Sequence, residues 1–195
     1  MKKKLLTLVV LLFTAPLLLL AQQNTQPASG LKALDEVPRM VMPGLDNEAL
    51  LAAELDRRGP GIAPRFAENM EVNITPATHG TWESTTNGNK VWRHRIYSQG
   101  AKSLNLGFSK YVMPEGGSMI LYTPKKSKIM GPFTPSDNDD HEELWTPILE
   151  GDEIVIEVQV PASKKSDLQL ELKSVNHDYI GFADMSVISG SCNLD

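Results

Sequence analysis

Hydrophobic and polar residues alternate with a period of two along most of the chain from Pro64 onward. The segments that follow this rule are RFAENMEVNIT, KVWRHRIYS, SLNLGFSKYVM, SMILYTP, DEIVIEVQVP and DLQLELKSV. Such alternation is typical of strands with one buried face, and turn-forming residues separate the segments, as at Asn87-Gly88-Asn89 and Glu150-Gly151-Asp152. The pattern predicts a mostly β domain over about 62–182, an antiparallel β-sandwich or jelly roll.

The segment LDNEALLAAELDRRG, just before the strands, has a helical period instead. Its apolar stripe consists of Leu45, Leu50, Leu51 and Leu55. Its terminal signals are the possible caps Asp46 and Asn47, the basic pair Arg57-Arg58 and the stop residue Gly59. The sequence therefore predicts one short amphipathic helix within 45–59, at about 46–58. We expect it to pack on its own domain rather than to form an interaction surface.

The N-terminus, MKKKLLTLVVLLFTAPLLLLAQQ, has three lysines before an apolar run from Leu5 to Leu20. This arrangement is typical of a secretory signal peptide spanning 1–21, cleaved between Ala21 and Gln22. The apolar run is shorter than the roughly 20 residues that a bilayer core requires, and Pro16 interrupts it, which argues against a transmembrane anchor. We expect a secreted or periplasmic product with no membrane partner after signal removal.

The remaining chain divides into four parts by composition and period. Residues 22–44 mix Gln, Ser, Pro and Gly without a sustained period, which predicts a flexible leader or linker of low order. The helix at 45–59, the jelly-roll domain at 60–182 and a terminal segment at 183–195 follow. Without the signal peptide, 16 basic side chains face 24 acidic ones, a net charge of −8. Such a surface repels phosphate backbones, so we expect no nucleic-acid partner.

The chain has one cysteine, Cys192, four positions from the end of the sequence. A single cysteine cannot form a disulfide within the chain. Cys192 is therefore a free and reactive thiol, a linker between molecules, or half of a bridge whose partner lies outside this sequence.

Candidate sites for metals and catalysis are weak. The acidic stretch SDNDDHEELW offers Asp137, Asp139, Asp140 and Glu142 as possible calcium ligands. It lacks the central glycine and the spaced terminal Glu of an EF-hand loop, so a solvated turn is favoured and no other cofactor is expected. The histidines are isolated and lack the spacing of zinc sites; they are His79, His94, His141 and His177.

His94 shares a predicted strand face with Trp92 and Ile96, which favours a hydrogen-bonded histidine in the core. No G-x-S-x-G motif occurs, and Ser189-Gly190-Ser191-Cys192 lies where no scaffold could orient a base on it. We therefore expect no catalytic residue in this chain.

Ordered blocks of sequence resemble a known family. They are HGTWE, WRHRIYSQGAKSLNLGFSKYVMPEG, LYTP, GPFTPSDNDDHEELWTPILEGDEIVIEVQVP and VNHDYIGF. Together they resemble the propeptide of secreted bacterial trypsin-like serine proteases of the lysyl endopeptidase type, and the terminal SGSCNLD resembles the start of the mature protease. The resemblance covers the chain from about Met42 to its end.

The resemblance implies that 60–182 is a pro-domain and that 183–195 holds a linker and the start of a protease domain. It implies that Cys192 pairs with a cysteine far downstream and that the catalytic triad follows Asp195. Family members that process themselves present a lysine just before the mature N-terminus, whereas the nearest upstream lysine here is Lys173. This difference leaves three alternatives: another protease removes the pro-region, the specificity of the protease is not for lysine, or the pro-domain stays attached.

The implied function is that of a non-catalytic pro-domain that assists folding of the following protease or masks it. One alternative is an ancillary module that binds carbohydrate or protein, in which Trp82, Trp92 or Trp145 stacks on a ligand. The strand-like surroundings of these tryptophans favour core positions instead. A further alternative is a stand-alone structural or surface protein, for which the unpaired Cys192 is an unexplained feature.

Overall fold

The computed structural model describes residues 25–181. Among these residues there is one α-helix, α1 (Asn47–Arg57), with short 3₁₀ helices at Leu34–Glu36, Pro135–Asp137 and Ala162–Asp167. The strands are β1 (Arg39–Val41), β2 (Ala67–Ile74), β3 (Thr81–Ser84), β4 (Asn89–Tyr97), β5 (Ser103–Val112), β6 (Ser118–Tyr122), β7 (Ile129–Phe133), β8 (Leu144–Trp145), β9 (Leu149–Glu150), β10 (Glu153–Pro161) and β11 (Gln169–Asp178). The prediction of a mostly β protein is confirmed.

The strands form two sheets. A six-stranded sheet has the order β1-β4-β10-β6-β7, with β3 paired to β4, and a five-stranded sheet has the order β2-β11-β5-β8, with β9 paired to β5. Strands β4 and β10 pair along their full length, from Tyr97 opposite Glu153 to Asn89 opposite Pro161. The six alternating segments of the sequence correspond to β2, β4, β5, β6, β10 and β11.

One hydrophobic core joins the inner faces of the two sheets. From the six-stranded sheet it includes Trp92, Ile96, Met119, Leu121, Ile154, Ile156 and Val158. From the five-stranded sheet it includes Ile74, Leu104, Leu106, Phe108, Leu172 and Val175. Most of these residues occupy alternate positions of their strands because successive side chains point to opposite faces, and a register shift between Leu172 and Ser174 interrupts the alternation in β11.

The sequence pattern did not predict five strands: β1, β3, β7, β8 and β9. Strands β8 and β9 have two residues each, which is too short for alternation to be visible, and β7 contains Gly131-Pro132. Strand β1 also corrects the expectation of purely antiparallel pairing, since it runs parallel to β4 with Arg39 opposite Arg95.

The expected low order of the leader is wrong for residues 25–44. This segment contains the 3₁₀ helix Leu34–Glu36 and β1, and it buries Val37 and Met42. Met42 belongs to the core between the sheets. The segment is ordered because its contacts are made with residues far along the chain, which composition does not reveal.

Helix α1 begins where the sequence predicts, because the Asp46 carboxylate accepts a hydrogen bond of 3.0 Å from the Ala49 amide. Leu50 and Leu51 pack against a small cluster formed by Tyr179 and Ile180, so the helix packs on its own domain as expected.

The predicted stripe is only partly buried, since the side chain of Leu55 is half-exposed and Glu54 is buried in its place. Glu54 forms ion pairs with Arg57 at 2.8 Å and Arg65 at 3.5 Å, which makes its burial tolerable. Neither α1 nor any 3₁₀ helix within residues 25–181 has the length and apolarity required to cross a bilayer.

Candidate functional site

The described chain ends at a turn that follows β11. The Asp178 carboxylate accepts hydrogen bonds from the hydroxyl of Ser103 at 2.5 Å and from the amides of Ile180 at 2.9 Å and Gly181 at 2.8 Å. Asp178 is buried, so these three donors satisfy a carboxylate that has little access to water. The arrangement fixes the direction in which the chain leaves the two sheets.

A Ser–His–Asn cluster, in which Ser98 and His177 are buried and Asn47 is partly exposed, lies beside this turn. His177 Nδ1 is 2.7 Å from Ser98 Oγ, and His177 Nε2 is 2.9 Å from Asn47 Oδ1. Burial lowers the pKa of His177, which favours the neutral ring. Because Asn47 Oδ1 can only accept, the neutral ring carries its proton on Nε2 and accepts from the Ser98 hydroxyl at Nδ1.

The cluster has the residue types of a nucleophile, a base and an orienting group, but its geometry serves structure. Ser98 is fully buried, and its amide is engaged with the carbonyl of Asp152. A nucleophile has to reach its substrate, and this hydroxyl faces the protein interior. The cluster ties together the end of β4, the start of α1 and the end of β11.

A second polar group lies on the outer face of the six-stranded sheet. Arg93 pairs with Glu83 at 2.5 Å and Arg95 pairs with Glu153 at 2.6 Å. These side chains are largely buried because residues 28–37 run across them, and Leu34 packs against the apolar cluster of Ile120, Tyr122 and Val155. The outer face of this sheet is therefore covered by the chain's own N-terminal segment.

The sheet holds residues 28–37 largely through their main chain. Glu157 accepts from the Ala28 amide and Glu83 from the Lys32 amide, each at 2.6 Å. The guanidinium of Arg93 donates to the carbonyl of Lys32 at 2.9 Å, and that of Arg95 donates to the carbonyl of Leu34 at 3.0 Å. Burial raises the pKa of Glu157, and the Tyr122 hydroxyl donates to its other oxygen at 2.8 Å.

His94 lies in the core as predicted, but the expected hydrogen bond is absent. Neither of its ring nitrogens has a partner within the described part of the chain. The ring stacks on Trp92 with centroids 6.0 Å apart and contacts the ring of His79 at 5.7 Å. Burial, and secondarily the neighbouring His79, lowers the pKa of His94 to about 4, so the ring is neutral at pH 7.

The three tryptophans have different environments. Trp92 is buried, as expected, and its Nε1 donates to the His79 carbonyl at 2.7 Å. Trp82 is partly buried, with Nε1 bonded to the Pro76 carbonyl and Lys165 Nζ 4.4 Å from its ring centre. The core position expected for Trp145 is wrong, since 57% of this residue is exposed. It lies in the two-residue strand β8, and no second layer within residues 25–181 covers it.

The acidic loop is ordered by its own backbone. Asp137 accepts from the Thr134 amide at 2.6 Å, and Asp139 accepts from the amides of His141 and Glu143 at 3.0 and 3.3 Å. Glu142 pairs with Lys110, while Asp140 is exposed. Among residues 25–181, no group of three or more His, Cys, Asp or Glu side chains is placed to hold a metal ion.

Other sequence-predicted sites lie outside the described residues. They are the cleavage position between Ala21 and Gln22, and Cys192 with its flanking segment. These remain predictions. Two features were not predicted: the Ser98–His177–Asn47 cluster and the hydrogen bonds that hold residues 28–37 on the sheet. Their members come from segments that are distant along the chain.

Comparisons with known proteins identify the folded body. The family model for the lysyl endopeptidase N-terminal domain matches residues 61–179, which include every strand from β2 to β11. A lysyl endopeptidase of Pseudomonas aeruginosa is 26% identical over 170 residues, which cover 78% of this chain and 36% of that protein. The chain thus spans little more than a third of the length of this curated relative. Because the family model covers more than half of the chain, the protein belongs to the lysyl endopeptidase N-terminal domain family.

Proposed function

We propose that this chain is the non-catalytic pro-region of an exported serine endopeptidase precursor of the lysyl endopeptidase type. The observation that carries the proposal is the extent of the family match. Residues 61–179 take in every strand except β1 and all the buried core residues between the sheets except Met42, so the similarity concerns almost the whole folded body and not a local motif. The partner is the trypsin-like protease domain that follows in the same precursor.

The fold suits a domain that acts by contact. Both ends of the described chain are held, the N-terminal segment by Glu83, Arg93 and Glu157, and the exit turn by Asp178. A surface that is already ordered loses less conformational entropy on docking than a flexible one. Such a domain can stabilise a folding intermediate of the protease, or cover its cleft until export is complete.

The two ends of this sequence belong to the same proposal. The signal peptide directs export and is removed after Ala21, and Cys192 forms its disulfide with a cysteine of the protease domain in the oxidising compartment. The stretch before SGSC contains no lysine after Lys173. Maturation therefore needs another protease, or a specificity other than lysine, or it does not separate the domains.

Deletion in cis tests the role. The precursor is expressed with and without residues 22–184, and the exported activity on lysyl and arginyl peptides is measured. The proposal predicts that deletion lowers the yield of active enzyme at least about tenfold, as expected for an enzyme that depends on its pro-region to fold. A variant that lacks only the exposed loop residues Gly59 to Gly61 serves as a control for deletion itself.

The masking role is tested separately, by adding the chain from Gln22 to Asp195 to the mature enzyme and following peptide cleavage. Slower cleavage supports masking, and unchanged cleavage with a rescued folding yield leaves the folding role alone. If the deletion and the addition both have no effect, the pro-domain function is wrong and a binding module attached to the protease replaces it.

A further inference from the structure

The outer faces of the two sheets differ in whether another described segment covers them. The outer face of the six-stranded sheet lies under residues 28–37, which leaves Arg93 only 5% exposed. No described segment makes comparable contacts across the centre of the outer face of the five-stranded sheet. Within residues 25–181, that face is therefore the broad sheet surface that no other segment covers.

The open face consists of two adjacent rows of side chains. In the first row Trp145 lies opposite Gly107, Gly107 opposite Ser174, and Ser174 opposite Glu71. In the second row Asn105 lies opposite Asn176, and Asn176 opposite Asn69. These residues are on the outer side because the intervening row, made of Leu106, Val175 and Met70, packs in the core.

The composition of these rows matches that of an interface centre. Apart from Glu71 on the edge strand β2, the side chains in the two rows are uncharged, although the exported chain has a net charge of −8. The centres of protein interfaces are depleted in charge and enriched in tryptophan, which is often the residue with the largest effect on affinity. The amides of Asn69 and Asn176 are joined by a hydrogen bond of 2.8 Å, so they are already ordered.

Trp145 is held in place although it is exposed. A Cβ atom on Gly107 would lie 2.5 Å from Cζ3 of the indole, which shows that the ring rests directly against this glycine. The absence of a side chain at position 107 thus makes room for the ring on the sheet. The result is a large apolar group, preorganised and 57% exposed, at one end of a neutral strip.

The path of the chain indicates what covers this face. Strand β11, which carries Ser174 and Asn176, leads directly to the exit, and Asp178 lies in the next row of the same face, opposite Ser103. Fourteen residues, 182–195, separate the exit from the end of the sequence. They span at most about 50 Å, so a protease domain that follows in the proposed precursor begins within that distance of the end of β11.

We propose that the outer face of the five-stranded sheet, from Trp145 to Asn69, is the surface that docks the protease domain of the same precursor. This inference rests on the proposed function and names the contact surface for it. The six-stranded side, with residues 28–37 bound across it, faces away from the protease.

Binding of two matched variants tests the surface. Ser174→Arg puts a long charged side chain in the middle of the neutral strip, and Ser163→Arg puts the same change on the exposed 3₁₀ helix Ala162–Asp167 beside the other sheet. The chain from Gln22 to Asp195 is titrated calorimetrically into the purified protease domain. We expect Ser174→Arg to weaken binding at least about tenfold and Ser163→Arg to leave it unchanged, with both variants keeping the wild-type melting temperature.

A second variant and a footprint guard against misfolding of the first. Trp145→Ala is expected to weaken binding at least about tenfold, and hydrogen exchange of the wild-type chain should show new protection in β5, β8 and β11 when the protease is added. If Ser174→Arg and Trp145→Ala bind as well as the wild type, the proposed docking surface is wrong. Protection that appears only outside β5, β8 and β11 leads to the same conclusion. In either case the pro-domain function stands. If the wild type does not bind the folded protease at all, the docking surface is wrong, and the folding yield with and without residues 22–184 decides the pro-domain function separately.

Discussion

His94 is kept neutral by its position in the core. Its pKa is lowered to about 4 by burial and by His79, whereas a histidine in the unfolded chain titrates near 6.5. Between these values the unfolded chain binds a proton that the native domain does not. Stability is therefore fully present above about pH 6.5 and is lost as the pH falls towards 4, by about 3 kcal/mol in all.

Replacing His94 by Leu removes this dependence while nearly preserving volume. Because neither ring nitrogen has a hydrogen-bond partner among the described residues, we expect the variant to be at least as stable as the wild type at pH 7. Urea unfolding between pH 4 and 7 measures the difference, with the exposed His141→Asn as control. His177 is unchanged in both proteins, so its own contribution cancels. Parallel pH profiles for His94→Leu and wild type would show that His94 is protonated in the native domain.

Glu54 has the opposite behaviour. Its hydrogen bonds from Arg57, and then its contacts with Arg65, lower its pKa to about 2 despite its burial. A lowered carboxylate pKa contributes stability that is present above about pH 4.5 and is lost as the pH falls towards 2.

We therefore expect Glu54→Gln to destabilise the domain at pH 7 and to approach wild-type stability near pH 2. Unfolding midpoints at the two pH values check this, with the exposed Asp56→Asn as a matched carboxylate-to-amide control. An equal loss of stability at both pH values would mean that packing, and not charge, is what the substitution removes.

At the scale of elements, the start of α1 depends on one side chain. The Asp46 carboxylate accepts from the Ala49 amide, which otherwise has no partner within the helix. Asp46→Ala should lower the free energy of unfolding by about 1 kcal/mol, and Asp46→Asn should change it by only a few tenths of that because Asn also caps well. Thermal denaturation monitored by circular dichroism distinguishes the two. Equal effects of both substitutions would exclude capping as the role of Asp46.

The segment 28–37 should behave as part of the sheet it covers. The amides of Ala28 and Lys32 donate to Glu157 and Glu83, so we expect slow hydrogen exchange at both, whereas Lys125 in the exposed turn between β6 and β7 should exchange fast. Native-state exchange followed by NMR measures all three amides in one experiment. Exchange of Ala28 and Lys32 at the rate of Lys125 would mean that the segment does not stay on the sheet.

The elements differ in how far the sequence could reveal them. Strand β4 was predictable because Trp92 and Ile96 alternate with polar positions along a single segment. Strand β1 and the hydrogen bonds that hold residues 28–37 on the sheet were not predictable. The contact of Arg93 with Lys32, for example, joins residues 61 positions apart and uses a backbone carbonyl. The exposure of Trp145 was missed because a two-residue strand shows no alternation.

The same limit applies to the polar clusters. Ser98, His177 and Asn47 are up to 130 positions apart, and each is unremarkable in its own segment. Folding brings them together at the exit of the chain. A pattern along the sequence can therefore predict which face of a strand is buried, but not which distant polar groups meet beneath a helix.

At the scale of the whole molecule, we expect the two sheets to act as one preorganised body that works by contact. The family match spans this body, and the polar clusters within it hold the N-terminal segment and the exit turn. Its effect on a partner should therefore not require covalent connection, provided that the partner meets the folded domain.

Refolding in trans tests this claim most directly. The protease domain is denatured, diluted with increasing amounts of the separately folded chain from Gln22 to Asp195, and assayed for recovered cleavage of lysyl and arginyl peptides. We expect the recovery to rise with added chain and to saturate near an equimolar ratio. An unrelated acidic β-sandwich protein should not reproduce it. A recovery that is the same with and without the added chain, up to a large excess, would contradict this expectation.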